Sequence, residues 1–407
     1  MTAVSAVRLL REQGVTAPAG FRAAGIAAGI KKSGALDLAL VFNEGPDYAA
    51  AGVFTRNQVK AAPVLWTTQA LTTGRLRAVL LNSGGANACT GPLGFQDTHT
   101  SAEAVAATLS NWGTETGPIE VAVCSTGLIG DRLPLAKVLA GVTEIVHEIH
   151  AGLLGGDDAA RAIMTTDTVP KQVALHHSLD AGENWTLGGM AKGAGMLAPS
   201  LATMLVVLTT DAVADPAALD AALRKAAART FDRLDVDGSS STNDTVLLLA
   251  SGASEIRPSQ EHLDDAVFEV CDDLCAQIQA DAEGVTKRVA ITVTGAPSEQ
   301  DAVTAARLVA RDSLVKTALF GSDPNWGRVL AAVGMVPFTL DPARIAVSFN
   351  GSPVCIDGAG APGARDVDLS GPDIEVTINL NLGDAQATIR TTDLSHAYVE
   401  ENSAYSS

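Results

Sequence analysis

Along the 407-residue chain, apolar positions recur at helical spacing in five stretches: 101–112, 133–152, 218–232, 260–281 and 301–318. In the fourth, Leu263, Val267, Val270, Leu274 and Ile278 share one face, as in an amphipathic helix. Shorter apolar runs predict strands at 77–81, 119–124, 204–209, 245–250, 289–293, 345–349, 374–380 and 386–390. Helices and strands mix without the regular alternation of a doubly wound sheet. The pattern therefore predicts an α+β fold with helices covering broad sheets. Two stretches break it. Residues 188–199 hold Gly188, Gly189, Gly193 and Gly195 without a charge run, and read as buried, close-packed backbone leading to a site. Residues 350–365, rich in glycine and proline, read as a surface loop. No internal repeat or low-complexity tract appears.

Composition narrows the partners. With 28 Lys and Arg against 46 Asp and Glu, the formal charge is −18, which repels phosphate backbones and anionic membranes. The expected ligand is small and the expected partners include no nucleic acid. No apolar run approaches the roughly 18 residues of a membrane span. Arg8, Arg11 and Glu12 stand where a signal peptide needs apolar residues, so a cytoplasmic location is expected. Five cysteines suit a reducing compartment. Cys271 and Cys275 lie on a helical face, and Cys124 and Cys355 in or beside strand-like runs; all read as small buried residues.

Several motifs fail their chemistry. The seven histidines lack metal-ligand spacing, and His176-His177 reads as a solvated loop pair. Asp235-Val236-Asp237-Gly238 hints at calcium, but an EF-hand would place Val246 where its last ligand belongs. Neither a P-loop nor a Gly-x-Ser-x-Gly elbow is present. No metal site is expected.

Thr203 is different. It follows the small Ala202 and stands between a glycine-rich approach and the apolar run Met204-Leu205-Val206-Val207-Leu208. If the chain cuts itself there, the hydroxyl gains its own base, an α-amine with a pKa of about 8. The same placement also suits a β-branched residue opening a buried strand. A second candidate is the strand running through Cys124 into Ser125, Thr126 and Gly127. There the Thr126 hydroxyl and the Gly127 N–H could face a carbonyl oxygen, or simply form a strand-to-helix turn.

Ordered blocks through nearly the whole chain choose between these readings. They are Gly52-Val53-Phe54-Thr55-Arg56-Asn57, Asn82-Ser83-Gly84-Gly85-Ala86-Asn87-Ala88, Cys124–Gly130, Ile163–Thr168, Lys192–Leu205 and Ser240–Thr245, then Asp281–Gly284, Ser322–Arg328 and Glu401–Ser407. Together they resemble the ornithine acetyltransferase (glutamate N-acetyltransferase) family of arginine biosynthesis. Small departures are Ser200 and Leu201, where that family often has asparagine and methionine.

The resemblance implies an αββα sandwich, shared with self-processing aminopeptidases, and autocatalytic cleavage between Ala202 and Thr203. It implies an α chain of residues 1–202 and a β chain of 203–407 in one intertwined unit, paired into a heterotetramer of two α and two β chains. Thr203 would carry acetyl from N2-acetylornithine to glutamate in a ping-pong cycle, releasing ornithine and N-acetylglutamate. Thr126 and Gly127 match the oxyanion hole; Thr165, Lys192, Thr203, Glu283, Asn402 and Ser407 match substrate contacts. No cofactor is implied, although acetyl-CoA is a second candidate donor. Lys192 suits the α-carboxylate of acetylornithine and Glu283 its δ-ammonium. Two rival classes share the same residues: an aminopeptidase or amidase in which water deacylates Thr203, and a non-catalytic metabolite-binding protein.

Overall fold

A computed structural model of the chain describes residues 4–179, 184–198 and 204–404. The first half supplies β1 (Val4–Leu10), β2 (Phe21–Ile26), β3 (Leu38–Asn43), β4 (Ala50–Phe54), β5 (Ala78–Ser83), β6 (Val121–Thr126), β7 (Lys171–Leu179) and β8 (Asn184–Lys192). The second supplies β9 (Leu205–Thr210), β10 (Thr245–Ala250), β11 (Arg288–Ala296), β12 (Ala346–Phe349), β13 (Ser352–Ile356), β14 (Ala359–Gly360), β15 (Asp373–Asn379) and β16 (Ala385–Thr392).

Three sheets result. One runs β1-β7-β8-β9-β10-β4, with β9 and β10 parallel and the other neighbours antiparallel. A second runs β2-β3-β5-β6, and a third β14-β13-β12-β15-β11-β16.

The first two sheets face each other, and side-chain alternation shows why the central runs are apolar throughout. Leu205, Val207, Leu247 and Leu249 point into a core shared with Val79, Leu81, Ala122 and Cys124 of the four-stranded sheet. Their neighbours Val206, Leu208, Val246 and Leu248 point the other way, against helices. On the outside of the four-stranded sheet lie α1 (Ala62–Ala70), α2 (Gly91–Asn111) and α3 (Leu135–Glu148), through Trp66, Val105, Leu109, Val142 and Ile145. A further helix, α4 (Leu153–Ala162), packs on β2 with Ala159 and Ala160 in the inter-sheet core. Outside the six-stranded sheet lie α5 (Pro216–Ala227) and α6 (Gln260–Ala280), through Leu219, Leu223, Val267 and Leu274. Helix, sheet, sheet and helix thus form the expected αββα layers.

The third sheet has its own core, covered by α7 (Glu299–Arg311), α8 (Ser313–Phe320) and α9 (Trp326–Val333). Buried Gln279 joins it to the sandwich, donating to the carbonyls of Val289 (3.0 Å) and Thr391 (2.7 Å). The last helix, α10 (His396–Ala404), follows β16.

Some sequence expectations are corrected. The helix expected over 301–318 is two helices, because extended Asp312 caps α8 by accepting the Val315 N–H (2.9 Å). Residues 350–365 contain β13 and β14 rather than loop alone. His176 and His177 lie on β7, not in a solvated loop; His177 is buried and stacked on Trp185 at 4.4 Å. Gly188 and Gly189 belong to β8, where a side chain at 188 would collide with the Gly14 carbonyl. Cys124, Cys271, Cys275 and Cys355 are buried free thiols.

Candidate active site

At the C-terminal end of β6 the chain turns sharply. Gly127 has a φ of +129°, and Thr126 offers its carbonyl to the Gly85 N–H (3.0 Å). The Leu128 carbonyl takes the Ala86 N–H (2.9 Å), stitching this end to the loop after β5. Asn243 locks both from the other sheet, its Nδ2 donating to the carbonyls of Ala86 (2.6 Å) and Ser125 (2.8 Å). Against that rigid frame, Thr126 Oγ1 is buried without a hydrogen-bond partner among the described residues. An orphaned buried hydroxyl is costly unless something else engages it.

Lys192 ends β8 with its side chain 2% exposed, and its Nζ lies 3.8 Å from Asp167 Oδ2. Burial lowers the lysine pKa, and the Asp167 charge opposes that fall. Asp167 itself is held well below the usual carboxylate range; burial would raise it, but Lys192 and Lys171 outweigh burial. The same Oδ2 accepts the backbone N–H of Thr165 (3.0 Å), an exposed residue just past α4.

Glu283 lies beyond the end of α6, buried, with its N–H donated to the Ala194 carbonyl (2.9 Å). Its Oε2 accepts Nδ2 of Asn402 on α10 (3.0 Å). That helix sits close because residue 284 is glycine at a φ of +60°; any side chain there would collide with the backbone of Tyr398. Ser395 completes the dock by donating to the Gly284 carbonyl (2.5 Å).

These elements surround a cavity of about 770 Å³. Thr126, Gly127, Thr165, Lys192, Glu283 and Asn402 all line it, although they come from positions spread over most of the chain. Ala202, Thr203 and Ser407 lie outside the described residues. Met204 is described: its N–H, part of the peptide linking it to Thr203, donates to Asp244 Oδ1 at 3.1 Å. Asp244 is fully buried, and burial pushes its pKa well up despite the Met204 hydrogen bond. Among the described residues of the approach, the left-handed backbone falls on Met196, with a φ of +57°, rather than on the glycines around it.

Sequence reasoning missed three groups around this cavity. Asp237 and Tyr398 line it beside Glu283, and Asp167 backs Lys192 from behind the wall. Asp237 accepts the N–H groups of Leu197 (3.1 Å) and Ser239 (3.2 Å), and burial raises its pKa, with Glu283 adding to the rise. Burial, with Asp237 and Glu283 nearby, pushes the Tyr398 phenol up to about 12. Asp237 stands in the stretch tested for calcium, where its partner Asp235 binds Arg311 (2.7 Å) instead. In the sequence that Asp-x-Asp-Gly turn fails as a calcium loop, and nothing in it marks Asp237 as lining this cavity.

A family model described as the ArgJ family matches residues 22–407. The chain is 80% identical over 400 residues to the arginine biosynthesis bifunctional protein ArgJ of Mycobacterium bovis, with 98% of each chain covered. It is 56% identical over 392 residues to the protein of that name from Thermobifida fusca, covering 96% of this chain and 99% of the other. A crystal structure of ornithine acetyltransferase complexed with ornithine, from Mycobacterium tuberculosis, aligns at 80% identity with a TM-score of 0.47. That alignment covers 49% of this chain and 100% of the other.

Proposed function

The chain belongs to the ArgJ family, and from that premise we propose that it moves acetyl from N2-acetylornithine to glutamate through Thr203. The observation carrying this reading is the cavity itself, with a buried, unengaged hydroxyl on one wall and Lys192 and Glu283 as oppositely charged contacts.

In the precursor, the Thr203 hydroxyl attacks the Ala202 carbonyl carbon and the Ala202–Thr203 C–N bond breaks, leaving an ester. Water then cleaves the ester, giving an Ala202 carboxylate and a free Thr203 amine. In turnover that amine accepts the hydroxyl proton as Oγ attacks the acetyl carbonyl. The negative charge developing on oxygen meets the Thr126 hydroxyl and the Gly127 N–H, both fixed before reaction. Ornithine leaves with the proton on its α-nitrogen. The α-amine of glutamate then attacks acetyl-Thr203, and the hydroxyl is restored.

Lys192 and Thr165 receive the α-carboxylate shared by both substrates, while Glu283, Asn402 and Ser407 receive the side-chain end. There ornithine brings a cation and glutamate an anion. Asp237 lines that end beside Glu283, and burial raises its pKa. Acetyl-CoA is a second donor in this reading, and two copies of each cleaved chain make the working assembly. Among the described residues no helix is long and apolar enough to cross a membrane.

A denaturing gel and one assay test the proposal. Wild type should give two bands near half the precursor mass, and Thr203→Ala a single band. Cleaved enzyme given acetylornithine and glutamate should form acetylglutamate; predominant release of free acetate would make it a hydrolase instead. Repeating the assay with acetyl-CoA as sole donor checks the second activity.

A further inference from the structure

Behind Lys192 lies a buried chain of alternating charges. Asp167 Oδ1 accepts the Gly193 N–H (2.7 Å) and a Lys171 Nζ proton (2.7 Å), while Oδ2 takes the Thr165 N–H and faces Lys192. The side chains of Asp167 and Lys171 are fully buried. Lys171 Nζ also meets Asp281 Oδ2 at 2.6 Å, and Asp281, capping α6, accepts the Thr168 N–H (3.0 Å). Glu283 stands two residues further on. Lys192, Asp167, Lys171 and Asp281 therefore run without a break from one end of the cavity wall to the segment bearing the other.

Packing alone does not call for four charges here, because buried ion pairs often stabilise less than apolar replacements of similar volume. Only Lys192 of the four lines the cavity, together with Thr165, which Asp167 also holds. The charged groups acting on Lys192 come from several elements: Asp167 and Lys171 around the start of β7, Glu283 after α6, Asp244 before β10, and half-buried Lys31. Asp167 and Lys171 act on it with opposite sign.

We infer that Asp167 is a positioning residue for acetyl transfer, supplying the countercharge that aims Lys192, with Thr165, at the substrate α-carboxylate. Lys171 and Asp281 continue the buried run of charge from Asp167 toward the segment that bears Glu283. The assignment rests on the proposed activity and predicts opposite outcomes for its two central members. Asp167→Asn strips Lys192 of a buried carboxylate 3.8 Å away, so Lys192 loses its proton at lower pH. Lys171→Met removes a like charge, so Lys192 keeps its proton to higher pH.

The test uses full-length cleaved enzyme, with both half-reactions followed from about pH 6 to about pH 10. With Asp167→Asn, KM for both acetylornithine and glutamate should rise about tenfold, more steeply with pH, while kcat changes less. With Lys171→Met, KM should stay at or below the wild-type value over the same range, even if the melting temperature falls. Titration calorimetry with ornithine reads the same contact without turnover. Equal-direction KM shifts in both variants, or wild-type KM and pH profile in Asp167→Asn, would overturn the assignment. If Asp167→Asn does not fold, a raised KM in Lys171→Met overturns it alone. Wild-type enzyme that binds ornithine but transfers no acetyl would sink the activity and leave the ornithine readout to judge Asp167.

Discussion

A hydroxyl buried without a partner sacrifices hydrogen bonds it could make in water, at a cost of about 1–3 kcal/mol. Thr126 bears that cost at a point where Asn243, Gly85 and Ala86 hold its backbone still. Valine has the same shape and no orphan, so Thr126→Val separates folding from chemistry. Its stability should match wild type or exceed it by up to about 1 kcal/mol. Its kcat for acetyl transfer should fall about 100-fold, the scale of one lost oxyanion donor. Chemical denaturation and initial rates measure the two effects; a wild-type kcat would reduce Thr126 to a packing residue.

At the scale of elements, α10 lies on the surface, and none of its described residues is buried. It holds on through Ser395, Gly284 and the Asn402–Glu283 hydrogen bond. Ending the chain at Glu401 should therefore cost little stability and leave self-cleavage intact. Glu283 would lose its amide donor, and the Michaelis constant for acetylornithine should rise about tenfold. Normal kinetics from that shortened chain would remove Asn402 and Ser407 from the site.

Which elements could be read from sequence follows from their surroundings. Strands β9 and β10 are buried on both faces and spell themselves as unbroken apolar runs. The β7–β8 pair escaped because Lys171, His176 and His177 interrupt one strand and Gly188 and Gly189 the other. Those residues answer to partners met only in the folded chain: Lys171 to Asp281, His177 to Trp185 on the next strand, and Gly188 to the backbone of Gly14. Likewise Lys192 and Glu283 could be chosen by motif, whereas Asp167 and Asp237 gained meaning only from contacts made in three dimensions.

For the molecule as a whole, the proposed cut falls between β8 and β9, which are neighbours in one sheet, paired from Leu187↔Thr210 to Lys192↔Leu205. The same sheet is crossed again where β4 of the first half pairs with β10 of the second. Between the sheets, Val79, Leu81 and Ala122 interlock with Leu205, Val207, Leu247 and Leu249, each valine or leucine contributing about 1.5–3 kcal/mol on burial. Losing one peptide bond removes none of these contacts. Separating the halves would break two strand pairings and expose an apolar face at once, so the cut ends should stay in one folding unit. Cleaved protein should elute as a single species across a urea series until the circular dichroism transition, with both chains released together. A first half that dissociates well below that midpoint would mean that the third sheet and its helices, rather than the shared sandwich, hold the second half folded.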